Sequence, residues 1–125
     1  MEEVKKQEME SLFCPYKQSL ALKELRFEEP CMRGWDKNGK IWYHPDSDIV
    51  LDNPTFSQAF RFFREKYMLS GEIYIFKNIW NFDIEDISNS IQLYTSDIIC
   101  YNSYEEAEVE CLVKLIEIVK EQNVK

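Results

Sequence analysis

Apolar residues recur along this chain with two periods, and the period changes from one segment to the next. Tyr16, Leu20, Ala21 and Leu25 stand at helical spacing, which predicts a helix from Tyr16 to Leu25 with Pro15 in its first turn. Glu28-Glu29-Pro30 ends it. Cys31 to Tyr43 predicts a hairpin around Asn38-Gly39, because Asn-Gly readily takes the positive φ angles of a type I′ turn. His44 to Asn53 is a polar connection around a short apolar run. A second helix starts at Asn53 or Thr55, with Pro54 inside its first turn and Thr55/Gln58 spaced as a capping box. It runs through Ala59, Phe60, Phe62, Phe63 and Tyr67, and Gly71 stops it. Ile73–Phe76 and Trp80–Glu85 follow. In the latter, Trp80, Phe82 and Ile84 face one way and the polar residues the other, the pattern of a half-buried antiparallel strand. Ile91–Tyr94 and Ile98–Tyr101 read as edge strands. Ser103 and Glu106 make a capping box for a last helix, whose buried stripe is Tyr104, Ala107, Cys111, Leu115 and Ile118.

The order helix–hairpin–helix–hairpin–helix predicts an α+β fold: two helix–hairpin units and a C-terminal helix packed on an antiparallel sheet. Ala21 precedes Trp42, and Ala59 precedes Trp80, by the same interval of 21 residues, so the offset of 38 suggests a repeated unit. Trp42, Phe60, Phe63, Trp80, Phe82, Leu112 and Leu115 are expected in one core. Residues 1–11 read as a flexible or partly helical lead-in, and 12–125 as a single α+β domain. At 125 residues, 45% hydrophobic and 14% aromatic, the chain is large and apolar enough to bury that core. No apolar run approaches the ~18 residues of a spanning helix, and no secretory signal is visible, so the expectation is a soluble cytoplasmic protein. Cys14, Cys31, Cys100 and Cys111 lack close pairing and read as reduced, mostly buried thiols.

Charge changes the picture. Between Asn78 and Val113 there is no Lys, Arg or His, yet this stretch holds eight acids: Asp83, Glu85, Asp86, Asp97, Glu105, Glu106, Glu108 and Glu110. The chain has 23 acids and 15 bases; without those eight the balance is 15 against 15, so they carry the whole formal charge of -8. A surface of this kind repels nucleic acid and attracts a basic partner, and these eight residues are the candidate partner-binding set.

Other constellations are weaker. His44 is the single candidate base for a cysteine nucleophile, and no Gly-rich turn adjoins any Cys. His44, Asp46, Asp48 and Asp52 place possible ligands within nine residues, but without the glycine and distal glutamate of a calcium loop. Asp83, Glu85 and Asp86 resemble paired carboxylates, yet alternation makes Asp83 and Glu85 the solvated side of a strand. Trp35, Trp42, Trp80, Tyr43, Tyr74 and Phe82 could stack bases, but the second hairpin is acidic rather than basic. No catalytic residue, metal or cofactor is assigned, and the expectation is a protein that is not an enzyme.

Three segments carry a resemblance: Pro15-Tyr16-Lys17-Gln18-Ser19-Leu20-Ala21-Leu22-Lys23-Glu24-Leu25 with Glu29-Pro30-Cys31; Ser57-Gln58-Ala59-Phe60-Arg61-Phe62-Phe63-Arg64-Glu65-Lys66-Tyr67; and Tyr104-Glu105-Glu106-Ala107-Glu108 with Cys111-Leu112. Together they resemble a family of small uncharacterised proteins of phages and prophages of Bacteroides-like bacteria. The resemblance implies a phage accessory protein acting on host machinery, and transfers no residue role. Joined to the charge, it leads to the expectation of a non-enzymatic inhibitor or modulator of a host nucleic-acid-handling protein, such as an anti-CRISPR protein acting on a nuclease or CRISPR effector. The alternatives are a phage housekeeping or self-associating domain, and a small-molecule or nucleotide binder built around Arg33, Lys37, Lys40 and Arg61.

Overall fold

Two short apolar runs that alternate with polar residues become hairpins, and each hairpin acquires a third strand. The computed structural model describes residues 10–43, 48–96, 99 and 101–124. Along the described residues the order is α1 (Tyr16–Glu24), β1 (Arg33–Asp36), β2 (Ile41–Tyr43), β3 (Ile49–Asn53), α2 (Phe56–Tyr67), β4 (Leu69–Phe76), β5 (Ile79–Asp86), β6 (Ile91–Thr95) and α3 (Tyr104–Val124). The fold is α+β, with two three-stranded antiparallel sheets ordered β2-β1-β3 and β4-β5-β6. The chain divides into two compact units, 1–59 and 60–125, and the dividing point lies within α2. No helix among the described residues is long and apolar enough to cross a membrane.

In the first unit α1 lies against β3. The helix begins after Pro15, which is the N-cap rather than a first-turn residue. It ends in a Schellman arrangement: Phe27 N–H donates to the Leu22 carbonyl (3.0 Å) and Arg26 N–H to the Lys23 carbonyl (3.0 Å). Arg26 takes the left-handed conformation (φ 69°) that glycine usually fills. The β1–β2 connection is not the expected type I′ turn. Gly39 alone has positive φ (80°), Gly39 N–H donates to the Asp36 carbonyl, and the loop is three residues long. The Asp36 carboxylate decides this, since it accepts from Asn38 N–H (2.8 Å) and Lys40 N–H (3.0 Å). The type I′ signature falls instead at Lys77-Asn78, both with positive φ (54° and 64°), between Phe76 and Ile79. Ile49-Val50-Leu51, read as part of a connection, pairs with β1 and forms β3.

In the second unit α3 packs on β4 and β5. Its buried residues are Ala107, Cys111, Leu112, Leu115, Ile116 and Val119, which meet the face bearing Leu69, Phe82 and Ile84. Tyr104 and Ile118 were expected on this stripe, but Tyr104 is 41% exposed and Ile118 half-buried. Gly71 does not stop α2. Met68 does so in the left-handed region (φ 57°), while Gly71 lies within β4, where a Cβ would come 2.7 Å from Cys111 Sγ and 3.0 Å from Phe60. The glycine is there for close packing. Thr55 N-caps α2 with the expected capping box, donating N–H to Gln58 Oε1 (3.0 Å) and accepting Gln58 N–H at Oγ1 (3.2 Å); Pro54 precedes it.

Of the expected core, Phe60, Phe63, Phe82, Leu112 and Leu115 are buried. Trp80 is half-buried, and Trp42 is 46% exposed on the edge strand β2. There its indole N–H donates to Asp36 (2.9 Å) and the Lys40 ammonium lies over its ring. These partners hold the Trp42 ring on the surface, outside the core. The repeat does not extend to topology: Trp42 is on an outer strand and Trp80 on the central one. Cys14 and Cys111 are buried free thiols, Cys31 is half-buried, and Cys100 lies outside the described residues, as does Ile98 of the expected strand Ile98–Tyr101. Tyr101 itself bridges to Trp80.

Candidate functional site

The start of α3 is where acids and exposed aromatic surface meet. Ser103 caps the helix by accepting Glu106 N–H at Oγ (3.1 Å), and Glu106 accepts Asn102 N–H (3.4 Å). Tyr104 follows, its ring edge-on to Trp80 at 5.5 Å. Trp80 is held by backbone: its N–H donates to the Tyr101 carbonyl (3.1 Å), and Tyr101 stacks on Phe82 at 5.8 Å. Around this aromatic group the helix places Glu105, Glu106 and Glu110 in solvent and Glu108 half-buried beneath Tyr104.

The electrostatics follow from that placement. Burial pushes the Glu108 carboxyl above its ordinary range; a hydrogen bond from Tyr104 works against this, and the neighbouring Glu105 adds to it. Burial likewise raises Tyr101 and Tyr104, with Glu110 and Glu106 adding to the first and Glu108 and Glu105 to the second. The glutamates thus fall in two pairs on the helix, Glu105 and Glu108 beside Tyr104 and Glu106 and Glu110 beside Tyr101. Exposed carboxylates beside an aromatic face form a surface that takes Arg or Lys side chains, by ion pairing and by cation–π contact.

The other predicted acids are elsewhere. Asp83 and Glu85 are on the face of β5 opposite Phe82 and Ile84, turned away from α3. Asp83 accepts from the Tyr74 hydroxyl (3.2 Å). Asp86 accepts Ser88 N–H (3.0 Å) and shapes the turn into β6. Asp97 lies outside the described residues. The structure thus gathers Glu105, Glu106, Glu108 and Glu110 and separates them from Asp83, Glu85 and Asp86. Among the described residues none of these seven is ion-paired to Lys or Arg. Sequence reasoning missed Tyr104 and Trp80 as site residues, because helical spacing put the first on the buried stripe and strand alternation put the second in the core.

Of the basic candidates, Arg33 is committed to structure, while Lys37, Lys40 and Arg61 are exposed. Arg33 is 2% exposed. Its Nε donates to Asn53 Oδ1 (2.6 Å), its terminal nitrogens donate to both Glu10 oxygens (2.6 and 2.9 Å), and the guanidinium lies over Phe13. A nucleotide pocket built on Arg33 would have to dismantle that network. A cleft of about 560 Å³ in the first unit is lined by Lys23, Glu24, Arg26, Glu28 and Asp52 among others, and Lys23 donates there to the Val50 carbonyl (2.8 Å). Burial pushes the Cys31 thiol up to about 12, with Asp52 and Glu29 adding to it, and burial raises Cys111 as well, so neither forms a thiolate readily. Among the described residues no three His, Cys, Asp or Glu side chains converge as a metal site; His44 and Asp46 lie outside them. Comparison of the chain with protein-family models, with curated proteins and with solved structures finds no match.

Proposed function

We propose that this is a non-enzymatic phage accessory protein that docks on a basic surface of a host nucleic-acid-handling protein, inhibiting an antiviral nuclease in the manner of an anti-CRISPR protein. The observation that carries the docking is the exposure of Glu105 beside the exposed ring of Tyr104, with Glu106 and Glu110 exposed on the Tyr101 side of the same helix and, among the described residues, no Lys or Arg paired to any of them. Two of the glutamates have local duties that need no partner, Glu106 as a cap and Glu108 beneath Tyr104. Glu105 and Glu110 have neither, and a basic surface would supply what they lack. The phage and host context, and with it a cytoplasmic place of action, rests on the resemblance of the three segments named above. The partner class rests on charge: a surface evolved to hold nucleic acid is cationic and offers what this patch takes.

The test is recovery of a partner from host cells with tagged wild type and with the double variant Glu105→Gln/Glu110→Gln. Wild type is expected to retain a nuclease or CRISPR effector, inhibit its cleavage, and lose at least ~90% of both in the variant at unchanged melting temperature. Equal recovery and inhibition by both proteins would overturn the assignment of the patch.

A further inference from the structure

The outer edge of β4 is regular, long and open. Trp80 N–H donates to Tyr101 and Ser96 N–H to the Phe82 carbonyl, so these β5 residues turn their backbone groups away from β4. The alternate residues Asn81, Asp83 and Glu85 therefore serve β4 through its Tyr74, Glu72 and Ser70. That leaves Gly71, Ile73 and Ile75 with N–H and C=O directed outward, and among the described residues no protein group meets them. The strand has no Pro, no Lys and no bulge along its eight residues, which are the usual means of keeping an edge from pairing.

The charge beside this edge is unbalanced. Glu72 stands directly opposite Asp83, with Glu85 two residues further along the same face. Like charges directly opposite destabilise a sheet, and neither Glu72 nor Asp83 is ion-paired among the described residues. At the far end of the strand Ile75 and Phe76 are 55% and 61% exposed.

We infer that the open edge of β4 binds an extended basic segment of the partner protein as a fourth strand. A Lys or Arg of that segment lies opposite Glu72 and relieves its repulsion with Asp83, while the apolar side chains on the segment's other face cover Ile75. Backbone hydrogen bonds to Ile73 and Ile75 supply affinity, and the alternation of basic and apolar residues supplies selectivity. This rests on the reading that the partner is basic, and adds a second contact remote in sequence from α3. A second copy of the chain is the poorer occupant, since at a net charge of -8 it would bring further carboxylates to the same edge.

The probe is a short capped peptide alternating Arg with Ile and Thr, compared with the same peptide carrying Glu for Arg. Binding of the Arg peptide should slow amide exchange of Ile73 and Ile75 at least ~tenfold, and the Glu peptide should not bind. Glu72→Gln should weaken binding several-fold, and Ile75→Pro, which removes an outward donor without touching a bond to β5, should abolish it. No binding, or protection confined to residues outside β4, would overturn the inference, as would sedimentation showing a dimer that Ile75→Pro dissolves. Binding lost in Glu105→Gln/Glu110→Gln but retained in both β4 variants would overturn the edge while leaving the α3 patch standing.

Discussion

At the scale of single residues, Asn53 holds the first unit's polar centre. It accepts from Arg33 and donates to the Cys14 carbonyl (2.8 Å) and to Ser19 Oγ (3.0 Å). Asn53→Ala would strand a buried guanidinium N–H and remove the amide bonds to the Cys14 carbonyl and to Ser19, and should cost on the order of 2–3 kcal/mol in denaturant unfolding. A loss below about 0.5 kcal/mol would show that water replaces the side chain without penalty. Glu108 gives a pH-dependent test. Its carboxyl is held above the ordinary range in the folded protein, so its contribution favours folding below that range and is lost as pH rises through the raised value. Glu108→Gln should therefore gain stability relative to wild type as pH moves from about 4 to about 7. An equal difference at both values would contradict the burial argument. Neither residue announced itself in the sequence. Asn53 was read as a possible helix cap, and Glu108 as one acid among several, because burial of a polar side chain depends on contacts far along the chain.

Among the elements, turn and cap chemistry separates what could be read from what could not. The Thr55/Gln58 box and the Ser103 cap were legible because both partners lie within one turn of each other, although Glu106 reaches back to Asn102 N–H rather than to Ser103 N–H. The end of α1 was not, because Arg26 rather than glycine occupies its left-handed position. Replacing it by glycine removes a steric cost at fixed hydrogen bonding, so Arg26→Gly should raise the melting midpoint by the equivalent of about 0.5–1 kcal/mol. A destabilised variant would mean that the arginine side chain contributes more than its backbone costs. Gly71 is the opposite case: a glycine taken for a stop signal whose real constraint is the approach of Cys111 and Phe60. Gly71→Ala should lose roughly 1–3 kcal/mol, since the helix must shift to admit a methyl group. An unchanged unfolding curve would show that the contact relaxes freely. β3 escaped notice because its apolar run is only three residues long and gains its identity from pairing with β1.

For the whole molecule, the periodic pattern revealed the α+β class and most of the second unit's core. Phe63→Ala and Leu115→Ala should each lose about 2–5 kcal/mol, because both side chains are fully buried. Charge was legible as an amount and not as a shape: of the eight acids of one stretch, the seven described ones are divided between the start of α3, the opposite face of the sheet and a turn. Acids in the first turns of a helix also stabilise it by ~0.3–1 kcal/mol each, so their presence alone does not establish docking. The most direct test is therefore kinetic. Association of the wild-type protein with its recovered basic partner should slow at least ~tenfold as salt is raised from about 50 mM to about 500 mM. Glu105→Gln/Glu110→Gln, with its melting temperature unchanged, should be about tenfold slower at low salt and nearly salt-independent. Wild-type and variant rates that coincide at every salt concentration would contradict the account, and would leave the acids of α3 with helix capping and solubility alone.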